Sequence, residues 1–191
     1  MSANLTERLN KILPKITSHQ FLKGKGLGNE LAFYIFDYPP EEEITIRKHI
    51  QFLNDKIKKQ RPPIKVLHIN LFQFIIEHLK DKKILDRSFS MEQKQGGAEL
   101  LKALNAPLRA ERIVSLISSN FQPQKYDIVL MDGIGSVWPL VRSHSLLNNI
   151  QPIMGSIPLV VFYPGNYDGK ALKLFGRIRS NNYYRAFPLV T

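Results

Sequence analysis

The run from Tyr126 to Gly169 constrains this chain more than any other. An apolar segment, Ile128 to Met131, ends in Asp132-Gly133, a helix start follows at Ser136 to Pro139, and a second apolar segment, Pro158 to Tyr163, ends in Pro164-Gly165. Near-continuous apolar runs such as IVLM and LVVFY mark strands buried on both faces, as in a parallel sheet covered by helices. Strand, turn, helix and strand in that order make an α/β layered fold, whose ligand groups collect at the carboxyl ends of the strands.

The same grammar extends along the chain. Leu5, Leu9, Ile12, Leu13 and Ile16 recur at helical spacing and predict an amphipathic helix over 4–22, kinked or shortened by Pro14. The segment Gly24 to Glu30 is turn-rich; it precedes a strand and so does not match a dinucleotide fingerprint. Strands are expected at Leu31–Tyr38, Ile64–Asn70, Tyr126–Asp132, Ile157–Tyr163 and Tyr183–Val190. Pro188 places the last at an edge. Helices are expected after Pro40, over Leu71–Leu79 and over Lys170–Phe175. A helical insertion is expected at about 88–120, built of a pattern weakened by Gly96-Gly97 and a second one opening at Pro107. The expectation is one domain over 1–191: a layered α/β sandwich with a mostly parallel sheet of about five strands. Its core is P-loop-like but lacks a phosphate loop.

That absence is specific. A phosphate loop needs glycines that expose backbone N–H groups, followed by Lys and Ser or Thr. After the first strand stand Asp37-Tyr38-Pro39-Pro40-Glu41-Glu42-Glu43 instead. Two prolines lack donors, and three carboxylates occupy the helix terminus that would hold phosphate. The run Gly165 to Ala171 is one residue short of the motif and has Ala171 where a hydroxyl would hold magnesium; it reads as a turn entering a helix. Asp132 sits where a nucleotide hydrolase carries its acidic strand-end residue, but without a partner loop, and Ser136 reads as a helix cap. The five histidines form no HExxH spacing and the serines no GxSxG elbow. With no cysteine, thiolate zinc sites and cysteine nucleophiles are excluded. The reading is of a non-enzyme without a cofactor or metal.

Two groups of residues remain as candidate sites. Asp37, Asn70, Asp132, Tyr163 and Gly165 lie at strand ends and are expected around one crevice, although Asp and Asn there also serve as turn-makers and caps. The carboxyl-terminal run carries Arg177, Arg179, Tyr183, Tyr184 and Arg185, mixing cations with aromatics. Such a segment neutralises phosphates and stacks bases, or anchors a protein interface. The formal net charge of +11 favours an acidic partner, and from 151 onward Asp168 is the sole acidic residue. No signal peptide or apolar stretch of membrane-spanning length is present, which fits a cytoplasmic protein with no membrane partner.

Several ordered segments together resemble the BrxB family of small components of BREX bacteriophage-exclusion systems. They are FLKGKGLGNELAFYIFDYPPEEE, VLHINLFQ, DGIGSVWPLVRSHSLLNNIQP, PLVVFYPGNYDG, LFG and NYYRAF. The resemblance runs from about Leu5 to Val190. It implies membership of an antiviral defence complex whose neighbours include a large ATPase, BrxC, a methyltransferase, PglX, and PglZ, which is similar to alkaline-phosphatase-type enzymes. It transfers no catalytic residue. The expectation is a noncatalytic adaptor that binds PglZ first and a BrxC-like ATPase second. The alternatives are a DNA-contacting subunit using the basic carboxyl-terminal surface, and a degenerate nucleotide-binding protein or small enzyme with a strand-end crevice.

Overall fold

The structure is a computed structural model that describes residues 3–23, 32–179 and 186–190. Its centre is a five-stranded parallel sheet formed by β1 (Phe33–Tyr38), β2 (Val66–Asn70), β3 (Ile128–Asp132), β4 (Leu159–Tyr167) and a short last strand, Phe187–Pro188. The spatial order is β2-β3-β4-β1, with Phe187–Pro188 at the outer edge beside β1. Pro188 therefore sits on an edge strand, where its missing donor breaks no central ladder. Helices alternate with the strands: α1 (Ala3–Ile16), α2 (His19–Leu22), α3 (Glu43–Lys58), α4 (Leu71–Asp81), α5 (Leu85–Gln95), α6 (Gly97–Asn105), α7 (Ala110–Phe121) and α8 (Ser143–Met154).

Strand alternation sorts side chains onto two faces. Tyr34, Phe36, Ile128, Leu130, Val160 and Phe162 share one face with Leu5, Leu9, Ile12 and Ile16 of α1 and Ile46, Ile50, Leu53 and Ile57 of α3. These spacings are the apolar stripes of amphipathic helices, and each fully buried Ile or Leu contributes about 1.5–3 kcal/mol of transfer free energy. The other face, carrying Ile35, Ile69, Met131, Val161 and Tyr163, packs against α4, α7 and α8.

Four expectations need correction. The amphipathic amino-terminal helix breaks after Ile16: Thr17 folds back on Leu13, and Ser18 caps α2 by accepting from Phe21 N at 3.3 Å. The insertion holds three helices, because Gly96, at φ +83°, separates α5 from α6 before α7 begins. The expected turn at Pro164-Gly165 is absent: β4 continues to Tyr167 and pairs antiparallel with β5 (Leu172–Leu174). The expected helix at 170–175 is therefore a hairpin, with β6 (Ile178–Arg179) beyond it; the last strand is β7. Asp168 makes the hairpin turn, its carboxylate accepting from Lys170 N at 2.8 Å and Ala171 N at 2.7 Å.

Candidate functional site

The connections define where a ligand would be sought. β1 leaves across the face covered by α3, whereas β2 and β3 leave across the face covered by α4 to α8. The sheet thus has a switch point between β1 and β4, where open α/β sheets bind ligands at the strand ends. Asp37, Asn70, Asp132, Tyr163 and Gly165 all lie at that end, with Asp37 registered beside Tyr163 and Asn70 beside Asp132.

Asp37, Asn70 and Asp132 are each held by the fold itself. Asp37 accepts from Arg8 at 2.6 Å and from Tyr167 N at 3.0 Å, fastening α1 and the β4 extension across the switch point. The Arg8 guanidinium also lies 4.7 Å above the Phe36 ring. Asn70 caps α4, its side chain accepting from Gln73 N at 2.9 Å. Asp132 is buried, and the ring Nε2 of His68 stands 3.1 Å from its Oδ1.

Gly165, at φ +151°, lies so close to β5 that a Cβ would come within 2.1 Å of the Lys173 carbonyl oxygen. Only glycine allows this pairing. Gly133, at φ +74°, likewise lies where a Cβ would meet the Asn70 carboxamide at 2.9 Å.

A second belt of polar contacts crosses the same end. The Tyr38 hydroxyl donates to Glu43 Oε2 at 2.5 Å, Arg47 Nε donates to Glu43 Oε1 at 2.8 Å, and Arg47 Nη2 donates to Ser136 Oγ at 3.2 Å. Ser136 is therefore not a helix cap: it belongs to a short turn, Gly135–Val137, and α8 starts only at Ser143. Burial, the hydrogen bond to Glu43 and the charges of Glu43 and Asp132 all push the Tyr38 hydroxyl far above its ordinary range. An anion entering here would meet the same carboxylates. Among the described residues no three His, Asp or Glu side chains gather to hold a metal.

The open space lies beside this end, at a place that no sequence motif marks. A cleft of about 600 Å³ runs between α6, the loop after β3, the start of α8 and the β5–β6 hairpin. Buried Tyr163 and Leu174 lie among its walls, as do exposed Trp138 and Ile178. Trp138 meets Phe175 edge-on, with ring centroids 6.4 Å apart. Arg142 and Arg179 supply the cleft's cations, and burial, followed by the Arg142 charge, lowers the pKa of His144 at its rim. The hairpin is what brings Arg179 to α8, and reading 170–175 as a helix hid that contact. Arg177 is exposed on the same hairpin. Tyr183, Tyr184 and Arg185 lie outside the described residues.

Comparison with known proteins agrees with the segments that carry the resemblance. Residues 67–189 match the family model described as BREX protein BrxB. A BREX protein BrxB of Bacillus cereus (strain H3081.97) is 42% identical over 97% of both chains. One of Escherichia coli O9:H4 (strain HS) is 39% identical over 97% of this chain and 92% of its own. No solved structure matches the chain. The ordered segments, the near-full-length identity and the parallel α/β sandwich converge, and the chain belongs to the BrxB family of BREX phage-defence proteins.

Proposed function

We propose that this chain is a noncatalytic adaptor of a BREX phage-defence complex, acting as one unit over 1–191 in the cytoplasm. PglZ is its first partner and a BrxC-like ATPase its second. One observation carries the reading: the polar residues at the switch point are tied up in the fold. Asp37 joins α1 to β4, Asn70 caps α4 and Gly165 admits β5. A catalytic crevice needs polar groups directed at a substrate, with a base within hydrogen-bond reach of a nucleophile. His68 and Asp132 form a pair, but no hydroxyl is bonded to His68 among the described residues. The chain works without metal or cofactor.

The proposed contact is the basic carboxyl-terminal surface of Arg177, Arg179, Tyr183, Tyr184 and Arg185, since Arg and Tyr dominate interface hot spots. The test is co-purification of the chain with each neighbouring BREX protein, with and without nuclease. PglZ is expected to co-elute from nuclease-treated extract. The reading fails if PglZ never co-elutes.

The net charge of +11 favours a second reading, direct DNA contact through the same surface. Its signature is affinity that falls steeply with salt and collapses on reversing the charge of Arg177 and Arg179 together.

A further inference from the structure

We propose that the cleft beside the sheet end is a docking site for an acidic, apolar-anchored peptide segment of a partner protein. The inference deepens the adaptor reading and rests on it for the partner's role, but not for the chemistry.

Exposed apolar side chains make the first part of the argument. Leu101, Trp138 and Ile178 are three of the eight large hydrophobic residues exposed among the described ones, and all three line this one cleft. Exposed hydrophobics scattered singly are ordinary, whereas a cluster around a concavity marks a binding surface. The volume of about 600 Å³ accommodates one or two apolar side chains. Buried Leu174 and Tyr163 give that anchor apolar and aromatic contacts.

Charge makes the second part. Among the described residues no carboxylate lines the cleft, and neither Arg142 nor Arg179 forms an ion pair. Asp168 acts on Arg179 only as a distant charge. A smaller space of about 280 Å³ shares Leu101, Pro139 and Arg142 with the cleft and adds Arg109, with Glu111 as its one acid among the described residues. Three guanidinium groups thus follow one path, each able to grip a carboxylate through two parallel N–H donors.

Peptide is favoured over nucleic acid by shape. Nucleic-acid grooves track a backbone past repeated phosphate contacts and stack bases on open aromatic faces. Here Leu101, Leu174 and Ile178 stand with Trp138 and Tyr163 around a short pocket with two arginines, too few cations to track a phosphate backbone.

The chain's single tryptophan is Trp138, so its fluorescence reports on this cleft alone. A random dodecapeptide display library is selected on the intact protein and counter-selected on the double variant Arg142→Glu, Arg179→Glu. Both positions are exposed, and a Glu at the start of α8 suits the helix dipole, so the variant keeps its fold. Enriched peptides are expected to carry Asp or Glu flanking Leu, Phe or Trp. Synthesised, they should shift Trp138 emission and bind the variant at least tenfold more weakly. Ile178→Asp should weaken them as much.

Enrichment of basic or neutral sequences, or of none that depends on the cleft, overturns the proposal. So does a 20-nucleotide single strand or duplex that moves Trp138 at lower concentration than any selected peptide. PglZ co-purification is run in parallel. PglZ bound equally by wild type and double variant, with no acidic enrichment, leaves the adaptor and removes the cleft. Cleft-dependent acidic peptides without PglZ binding keep the cleft and remove PglZ.

Discussion

The sheet end and the neighbouring cleft differ in what their polar groups face. At the sheet end, Asp37, Asn70, Glu43 and Asp132 each have a partner from this chain, and Gly165 is closed over by β5. In the cleft, Arg142 and Arg179 have no ion-pair partner among the described residues, and apolar side chains stand exposed beside them. Both regions draw on the loop after β3. An α/β scaffold can thus close the place where its topology directs ligands and open another a few residues away. Substitutions at the first region should cost stability, and substitutions at the second should cost binding.

The largest expected effect is at Gly165. A valine there would combine a left-handed φ with a Cβ overlapping the Lys173 carbonyl. Gly165→Val should lose about 3–5 kcal/mol, read as a fall in the urea midpoint. A loss below 1 kcal/mol would mean that the β4–β5 pairing is not part of the stable fold.

Asp37→Ala should come next. It leaves the Arg8 guanidinium and the Tyr167 amide without their acceptor in a half-buried setting. The expected cost is about 2 kcal/mol. Arg8→Ala in the Asp37→Ala background should add less than in wild type, which a double-mutant cycle measures. Asn70→Ala removes a cap and should cost about 1 kcal/mol. None of the three should weaken PglZ binding in the folded protein. If Asp37→Ala or Asn70→Ala abolished it without unfolding, the sheet end would be the working site after all.

Much of this fold is legible in the residues, because three of its five parallel strands, β1, β3 and β4, are buried apolar runs and the helices carry periodic stripes. The acidic, proline-bearing turn after β1 also shows in the residues themselves that no phosphate-loop motif stands there. The hairpin was not legible. Ala171, Leu174, Phe175 and Ile178 fit a helical spacing, while Leu172 and Leu174 fit a strand one, over so short a run. What decides between them is Gly165's approach to Lys173 across the β4–β5 hairpin, which needs strand β4 to run on past Pro164. The cleft was hidden because Leu101, Trp138, Arg142 and Arg179 come from four separate elements. Asp37 was visible as a strand-end polar group, but its partners Arg8 and the Tyr167 amide were not, since those links span distant parts of the chain, whereas the Asn70 cap on Gln73 N is local and open to a sequence reading.

At the cleft the stability effect should be near nothing. Arg142→Glu and Arg179→Glu should each change stability by about 0.5 kcal/mol or less, as exposed substitutions do. If either destabilised the protein by 2 kcal/mol or more, its guanidinium would be a structural group and the contrast between the two regions would fail.

The smallest effect, a pH dependence, reaches into both regions. Burial lowers the pKa of His49 in α3, opposed by a backbone hydrogen bond at Leu9. Burial and the nearby Arg142 charge lower that of His144, and burial with Lys82 and Arg112, against Asp81, that of His78. For each, the folded state disfavours the protonated ring. The unfolded chain binds protons at the ordinary value of about 6.5, before the folded one does. Stability should therefore be full above the unfolded value of about 6.5 and fall as the pH drops below it. The Nε2 of His49 is buried without a partner among the described residues, whereas His144 lines an open cleft. His49→Gln should therefore flatten the dependence of the urea midpoint on pH more than His144→Gln does. A larger flattening from His144→Gln would show that the cleft closes over its histidine in the native protein, reversing the assignment of closed and open regions.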